Sequence, residues 1–271
     1  MQNEKAELAA KADSKKVMNN PAADYFSSVD FSKLGVRVED MFKSGVHFGH
    51  HKSRRNPKMN EYIFATKNDI NIFDLEKTKV KLEEAMQFLS DTASLGGEIL
   101  FVGTRKQAKK IVEAAAARAE MPYVTERWLG GTFTNFPVIS VRTKYLCDGL
   151  EKMEKGEYAK YTKFERMKKA EELERMERRM GGIKQMKKLP AAIFVTSIIE
   201  DNLAIKEAIN QKIPIVALAD SNTSPVGIDY LIPANEDAVS SLRLMVAYVT
   251  KAILEGKAKK VAPKPEEVKK N

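Results

Sequence analysis

From residue 98 onward the chain alternates unbroken apolar runs with stretches of helical spacing. Glu98–Gly103 (EILFVG), Ala191–Thr196 (AAIFVT) and Ile213–Asp220 (IPIVALAD) are such runs, and Ile228–Ile232 (IDYLI) is a shorter one. A strand with one wet face alternates polar and apolar residues, whereas a continuous run predicts a strand covered on both faces. Between the runs lie a turn at Thr104–Ala108, an alanine-rich helix up to Glu120, a helix over Asn202–Gln211 and a closing helix over Glu236–Leu254. Repeated strand, turn and helix predict an α/β domain with a doubly wound parallel sheet.

Residues 137–180 break this rhythm, because no apolar run occurs there. Ile139, Leu146, Leu150 and Met153 fall at helical spacing on one arm, and Tyr161, Phe164, Met167, Leu173, Met176 and Met180 on a second. Pro137 suits a first helical position, Lys155-Gly156-Glu157 supplies a turn, and Gly181-Gly182 stops the second helix. An antiparallel helical hairpin inserted into the α/β domain is expected, with a narrow apolar seam. The expected organisation is a flexible extension over 1–30, the α/β domain over 31–136 and 181–256, the hairpin over 137–180 and a basic disordered tail over 257–271.

Charge adds a partner class to this outline. The 271 residues carry 46 Lys plus Arg against 37 Asp plus Glu, a net charge of +9 that favours a polyanion. Residues 151–188 hold 13 basic and 8 acidic side chains, which suits a solvated face as well as an RNA contact. A single Cys147 excludes an internal disulfide and fits a reducing cytoplasm. No apolar run reaches the length of a membrane span, and the first 30 residues lack the apolar core of a signal peptide.

Candidate chemistry concentrates in three segments. All three histidines lie at His47, His50 and His51, among Gly45 and Gly49 and just before Lys52, Arg54, Arg55 and Lys58, a run without acids. Glycines admit close backbone approach and the cations supply donors for phosphate oxygens, so this segment is expected to touch nucleic acid. Arg127-Trp128-Leu129-Gly130-Gly131-Thr132-Phe133-Thr134-Asn135 is the second, in which Arg127 can fork onto a phosphate. Trp128 can stack on a base or fill core, the latter being favoured, and Thr134 or Asn135 can cap the next helix. Gly103-Thr104-Arg105-Lys106 is the third, a strand end leading into a helix, where Arg105 or Lys106 could hold an anion or simply be solvated.

Neither GxxxxGK[ST] nor GxGxxG after a strand occurs, and no Ser/His/Asp or Cys/His set is evident, so an enzyme is not expected. His47, His50 and His51 have metal-ligand spacing, but Gly49 interrupts the turn and no acid stands beside them in sequence, so no metal or cofactor is expected. Three readings follow: an RNA-binding protein, an adaptor using the helical hairpin, and, least favoured, a phosphate-binding α/β enzyme.

The motifs SGVHFGHHKSRRNPKM, INIFDLEKT, ILFVGTRKQA, RWLGGTFTN and LAIKEAINQKIPIVALADSNTSPVGIDYLIPANEDA stand in the order seen in the ribosomal protein S2 family of the bacterial small subunit. The chain resembles that family from about Val36 to Lys257. Ser197 and Glu126 depart from its usual aspartate and histidine at those places. The resemblance implies a flavodoxin-like three-layer αβα sandwich with a coiled-coil hairpin and a structural, non-enzymatic role in translation. It implies binding of small-subunit ribosomal RNA, contacts with neighbouring small-subunit proteins, and help in docking ribosomal protein S1, with no membrane and no small-molecule substrate. The rRNA-binding candidates are then His47, Gly49, His50, His51, Lys52, Arg54, Arg55, Lys58, Arg105, Lys106, Arg127, Trp128, Gly130, Gly131 and Asn135. Tyr161, Phe164, Met167, Leu173 and Met176 are the candidates on the hairpin for a protein partner.

Overall fold

A computed structural model of the chain describes Tyr25, Phe26, Phe31 and residues 34–261. The rest of the expected extension over 1–30, and residues 262–271 of the expected tail, lie outside the described residues. The elements run α1 (Val38–Lys43), β1 (Phe48–His51), β2 (Ile63–Lys67), β3 (Ile70–Phe73), α2 (Leu75–Ser94), β4 (Ile99–Val102), α3 (Lys109–Ala119), β5 (Tyr123–Val124), α4 (Phe136–Glu154), α5 (Lys163–Met180), β6 (Ala192–Val195), α6 (Asn202–Asn210), β7 (Ile215–Ala219), β8 (Tyr230–Pro233) and α7 (Val239–Val261).

Among the described residues the main sheet is parallel, in the order β5-β4-β6-β7-β8, with Leu100 opposite Ile193 and Val195 opposite Ala217. Counted from β4, this is the 2-1-3-4-5 order of flavodoxin-like folds. Both faces of each central strand are buried, as the unbroken apolar runs require. Ile99, Phe101, Phe194, Val216 and Leu218 point into one core with Leu82, Leu89, Ile111, Leu242 and Tyr248 of α2, α3 and α7. Leu100, Val102, Ile193, Val195 and Ala217 point into the other, with Ile205 and Ala208 of α6, Trp128, Phe133 and the start of α4. Helices on one face, the sheet, and helices on the other make three layers. Each fully buried large aliphatic or aromatic side chain contributes roughly 1.5–3 kcal/mol of transfer free energy.

Most boundaries lie within two residues of the pattern, and the larger differences fall on the last helix. Helix α7 starts three residues later than expected, because the Asn235 side chain accepts from the N–H groups of Asp237 and Ala238 and holds them in a turn. It also continues past Gly256 to Val261, where the pattern ended at Leu254: a Cβ at Gly256 would lie 2.2 Å from the Ser90 carbonyl oxygen, so glycine is what lets α7 cross α2 closely. Phe26 is buried in the core beneath α2, α3 and α7, and Phe31 stands 5.9 Å from it, so at least this part of the expected free extension packs.

Helices α4 and α5 pack on each other through Leu146, Leu173 and Met180, all buried. Leu173 occupies the space left by Gly149, where a Cβ would come within 2.6 Å of its Cδ2 atom. Thr162 opens α5 with a capping box, its side chain accepting from the Glu165 N–H while Glu165 accepts from the Thr162 N–H at 2.9 Å. The seam closes over its inner half. Beyond Leu150 the next layer is Tyr158 of a short 3-10 turn, and Met153, Tyr161, Phe164 and Met167 are exposed.

Candidate nucleic-acid interface

Strands β1, β2 and β3 form a small antiparallel sheet in the order β1-β3-β2, seated at the carboxyl ends of β7 and β8. Its anchor is β1. The His50 N–H donates to Ser221 Oγ at 2.8 Å and to Asp220 Oδ1 at 3.2 Å, and the Asn56 N–H donates to the Ser221 carbonyl at 2.8 Å. A Cβ at Gly49 would stand 2.9 Å from Ser221 Oγ. Gly49 therefore serves a close approach within the protein, between the first segment and the loop after β7.

The three histidines have three different surroundings. The His47 ring is buried, stacked on Phe42 at 4.4 Å and tilted against Phe48 at 4.0 Å, and burial holds its pKa below 6.5. His51 is exposed, and its Nδ1 accepts from the Ser53 N–H, capping the 3-10 turn Lys52–Arg54. His50 places Nδ1 3.0 Å from Asp220 Oδ2 and Nε2 3.4 Å from Asp237 Oδ2. The Asp220 hydrogen bond raises its pKa above 6.5 against the opposing effect of burial, and the charges of Asp220, Asp237 and Glu236 add to the rise.

His47, His50 and His51 thus do not converge on a common point. The group that does bring metal-ligating atoms together is His50, Asp220 and Asp237, whose ligand atoms lie within 4.8 Å of one another. One imidazole and two carboxylates suit zinc or another borderline divalent ion. Sequence spacing hid this set, because its acids follow β7 and β8, at least 170 residues from His50.

Arg105 belongs to the same network. It forms an ion pair with Asp237 and places Nη2 3.4 Å from Glu236 Oε1. Glu236 is fully buried, and burial pushes its carboxyl up to about 7 although Arg105 pulls the other way. Arg105 is therefore engaged by carboxylates, whereas Lys106 is exposed. Thr104 donates to Asp201 Oδ1 at 2.7 Å across the crevice between β4 and β6, the place where flavodoxin-like sheets bind ligands. Burial raises Asp201 to about 6 in spite of that bond.

Just beyond this network the cations are open. Lys52 pairs with Asp69. Arg54, Arg55 and Lys58 are exposed and take part in no ion pair among the described residues.

The second segment is organised by one carboxylate. Glu207 of α6 is 5% exposed and accepts from Trp128 Nε1 at 3.1 Å, the Gly131 N–H at 2.8 Å, the Phe133 N–H at 2.9 Å and the Thr134 N–H at 3.2 Å. Burial alone would raise its pKa, but these donors outweigh it and hold the carboxyl below 4.5. Trp128, 6% exposed, packs edge-on to Phe133 at 4.9 Å and is a core residue. Arg127, Gly130, Thr134 and Asn135 are exposed around it, and Asn135 precedes α4 without a side-chain cap. Sequence reasoning missed Glu207, although its place was a signal: an acid between Ala204, Ile205 and Ala208 lies on the buried face of its helix.

On the helical pair, Leu173 is buried and Met176 half-buried against the core, while Tyr161, Phe164 and Met167 are exposed. No described helix is long and apolar enough to cross a membrane.

The arrangement is a set of exposed cations and glycine turns on a scaffold held by partly buried hydrogen bonds. A family model described as ribosomal protein S2 matches residues 41–256. The chain belongs to the ribosomal protein S2 family. It is 47% identical over 226 residues to the small ribosomal subunit protein uS2 of Chlorobaculum tepidum, covering 83% of this chain and 90% of that protein. The small ribosomal subunit protein uS2 of Roseiflexus castenholzii is 45% identical over 222 residues, covering 82% and 84%. That of Chlorobium luteolum is 46% identical over 226 residues, covering 83% and 89%. The family is one of structural proteins, not enzymes.

Proposed function

We propose that this chain is a structural constituent of the small ribosomal subunit that binds ribosomal RNA through its basic and glycine-rich segments. Family membership carries the ribosomal part of this reading, and the single observation that carries the RNA part is the unpaired, exposed run Arg54, Arg55 and Lys58 on an anchored sheet. A cation without an internal partner is free to neutralise a phosphate and release its counterion, with no ion pair to break first. Lys106, Arg127 and the backbone at Gly130 add contacts of the same kind. Arg105 and the buried His47 and Trp128 support this surface from within, and exposed Lys52 pairs with Asp69 at its edge. The exposed apolar face of Tyr161, Phe164 and Met167 on the helical pair is the part offered to a protein neighbour such as ribosomal protein S1.

Sedimentation of a native lysate tests the assignment: the chain should comigrate with small subunits at low salt and leave them at high salt. Recovery only in the light fractions at both salts sinks it. Replacing Arg54 and Arg55 together with alanine should reduce the log-log salt slope of binding to small subunits by about 1.4–1.8, at roughly 0.7–0.9 per phosphate contact.

A further inference from the structure

We propose a second phosphate seat, at the junction of the helical pair with the 127–135 loop, for the backbone of ribosomal RNA. A cleft of about 420 Å³ opens there between α4 and α5, and Arg142, Arg175 and Arg179 line it. Arg175 and Arg179 stand four positions apart on α5 and so share one face, and Arg142 reaches in from α4. All three are exposed, and none of their side chains takes part in an ion pair or hydrogen bond among the described residues. The carboxylate in the cleft, Glu172, is already engaged by Lys169 at 3.0 Å. Three guanidinium forks facing one opening, with the local acid neutralised, make a site for an anion with several oxygens.

The seat is built rather than loose. Its helices are locked by Leu173 on Gly149, and its remaining wall includes Leu129 and the buried Met180. Leu129 belongs to the loop that Glu207 holds in shape, and its carbonyl accepts from the Thr132 N–H at 3.1 Å. Because Leu129 in that wall is the chain neighbour of exposed Gly130, the cleft continues the 127–135 part of the surface proposed above onto the helical pair. That continuity favours RNA over an acidic protein as the occupant, and the inference rests on the RNA-binding reading.

The test uses the full chain and small subunits stripped of their own copy, with binding measured over a salt series. Arg142→Ala, Arg175→Ala and Arg179→Ala together should lower the log-log slope by about 2.1–2.7, at the same rate per contact, and weaken binding at 0.1 M salt by about 10- to 100-fold. The corresponding triple replacement by lysine should restore most of the slope. An unchanged slope in the triple alanine variant, with a lowered one in the Arg54→Ala, Arg55→Ala double variant, overturns the cleft and leaves the general reading standing. Unchanged slopes in both overturn the two together. A photoreactive group placed at Tyr145 should attach to RNA in assembled subunits; attachment to a protein instead overturns the proposed occupant. All the replaced residues are exposed, so folding should be preserved, and an unchanged thermal unfolding midpoint checks this.

Discussion

The 44–58 segment and the 127–135 segment look alike as sequence, both rich in glycine and carrying exposed arginine, yet the protein holds them in opposite ways. The first hangs on a dispersed network in which His50, Asp220, Asp237, Arg105 and Glu236 share charge and protons. The second hangs on a single carboxylate, Glu207, that collects the N–H groups of a whole turn. A dispersed network loses one contact at a time. A single acceptor, when removed, leaves several buried donors unpaired at once.

The largest expected effect follows from that asymmetry. Glu207→Ala should lower unfolding free energy by about 3–5 kcal/mol in urea titrations, since it strands buried donors, whereas Glu207→Gln should cost about half as much. A loss under about 1 kcal/mol for the alanine variant would mean that the turn is held by something else. His50→Ala should cost less, about 1–2 kcal/mol, because Asp220 and Arg105 keep other partners; a cost equal to that of Glu207→Ala would erase the contrast.

Proton linkage sharpens the comparison. The raised pKa of His50 means that its contribution is full below pH 6.5 and is lost as pH rises through its folded value. Glu236, raised by burial to about 7, acts in the same direction. The lowered pKa of Glu207 means that its contribution is full above pH 4.5 and is lost as pH falls through its folded value. Thermal unfolding followed by circular dichroism should therefore show a decline on the alkaline side that His50→Gln flattens, and one on the acid side that Glu207→Gln flattens. The smallest effect should come from Arg54→Ala with Arg55→Ala, within about 0.5 kcal/mol of the parent in stability, since these exposed side chains touch nothing that folding needs. A larger loss would place them in the scaffold.

What the sequence disclosed follows the same division between dispersed and local signals. Strands β4, β6 and β7 were legible because a strand buried on both faces must be apolar at every position. The α4–α5 pair was legible from its spacing. Helix α2 and strands β1 to β3 were not, since β2 (IFATK) is largely exposed and β1 (FGHH) holds its place by backbone bonds to Ser221, which leave no periodic trace. The candidate site divides similarly. Arg54, Arg55 and Lys58 announce themselves as a cationic run without acids and Trp128 as core, while Gly49 looks like a ligand contact and is internal packing. The His50, Asp220 and Asp237 set required the fold itself, because three strand ends had to meet before it existed.

That meeting also sets an order of events during synthesis. The corner over residues 45–56 is closed by Ser221, Asp220 and Asn235, which lie in the last quarter of the chain. A polypeptide made from its amino end produces its cationic run early and can give it a fixed shape only when β7 and β8 have emerged and paired. Incomplete chains thus carry the charge without the geometry.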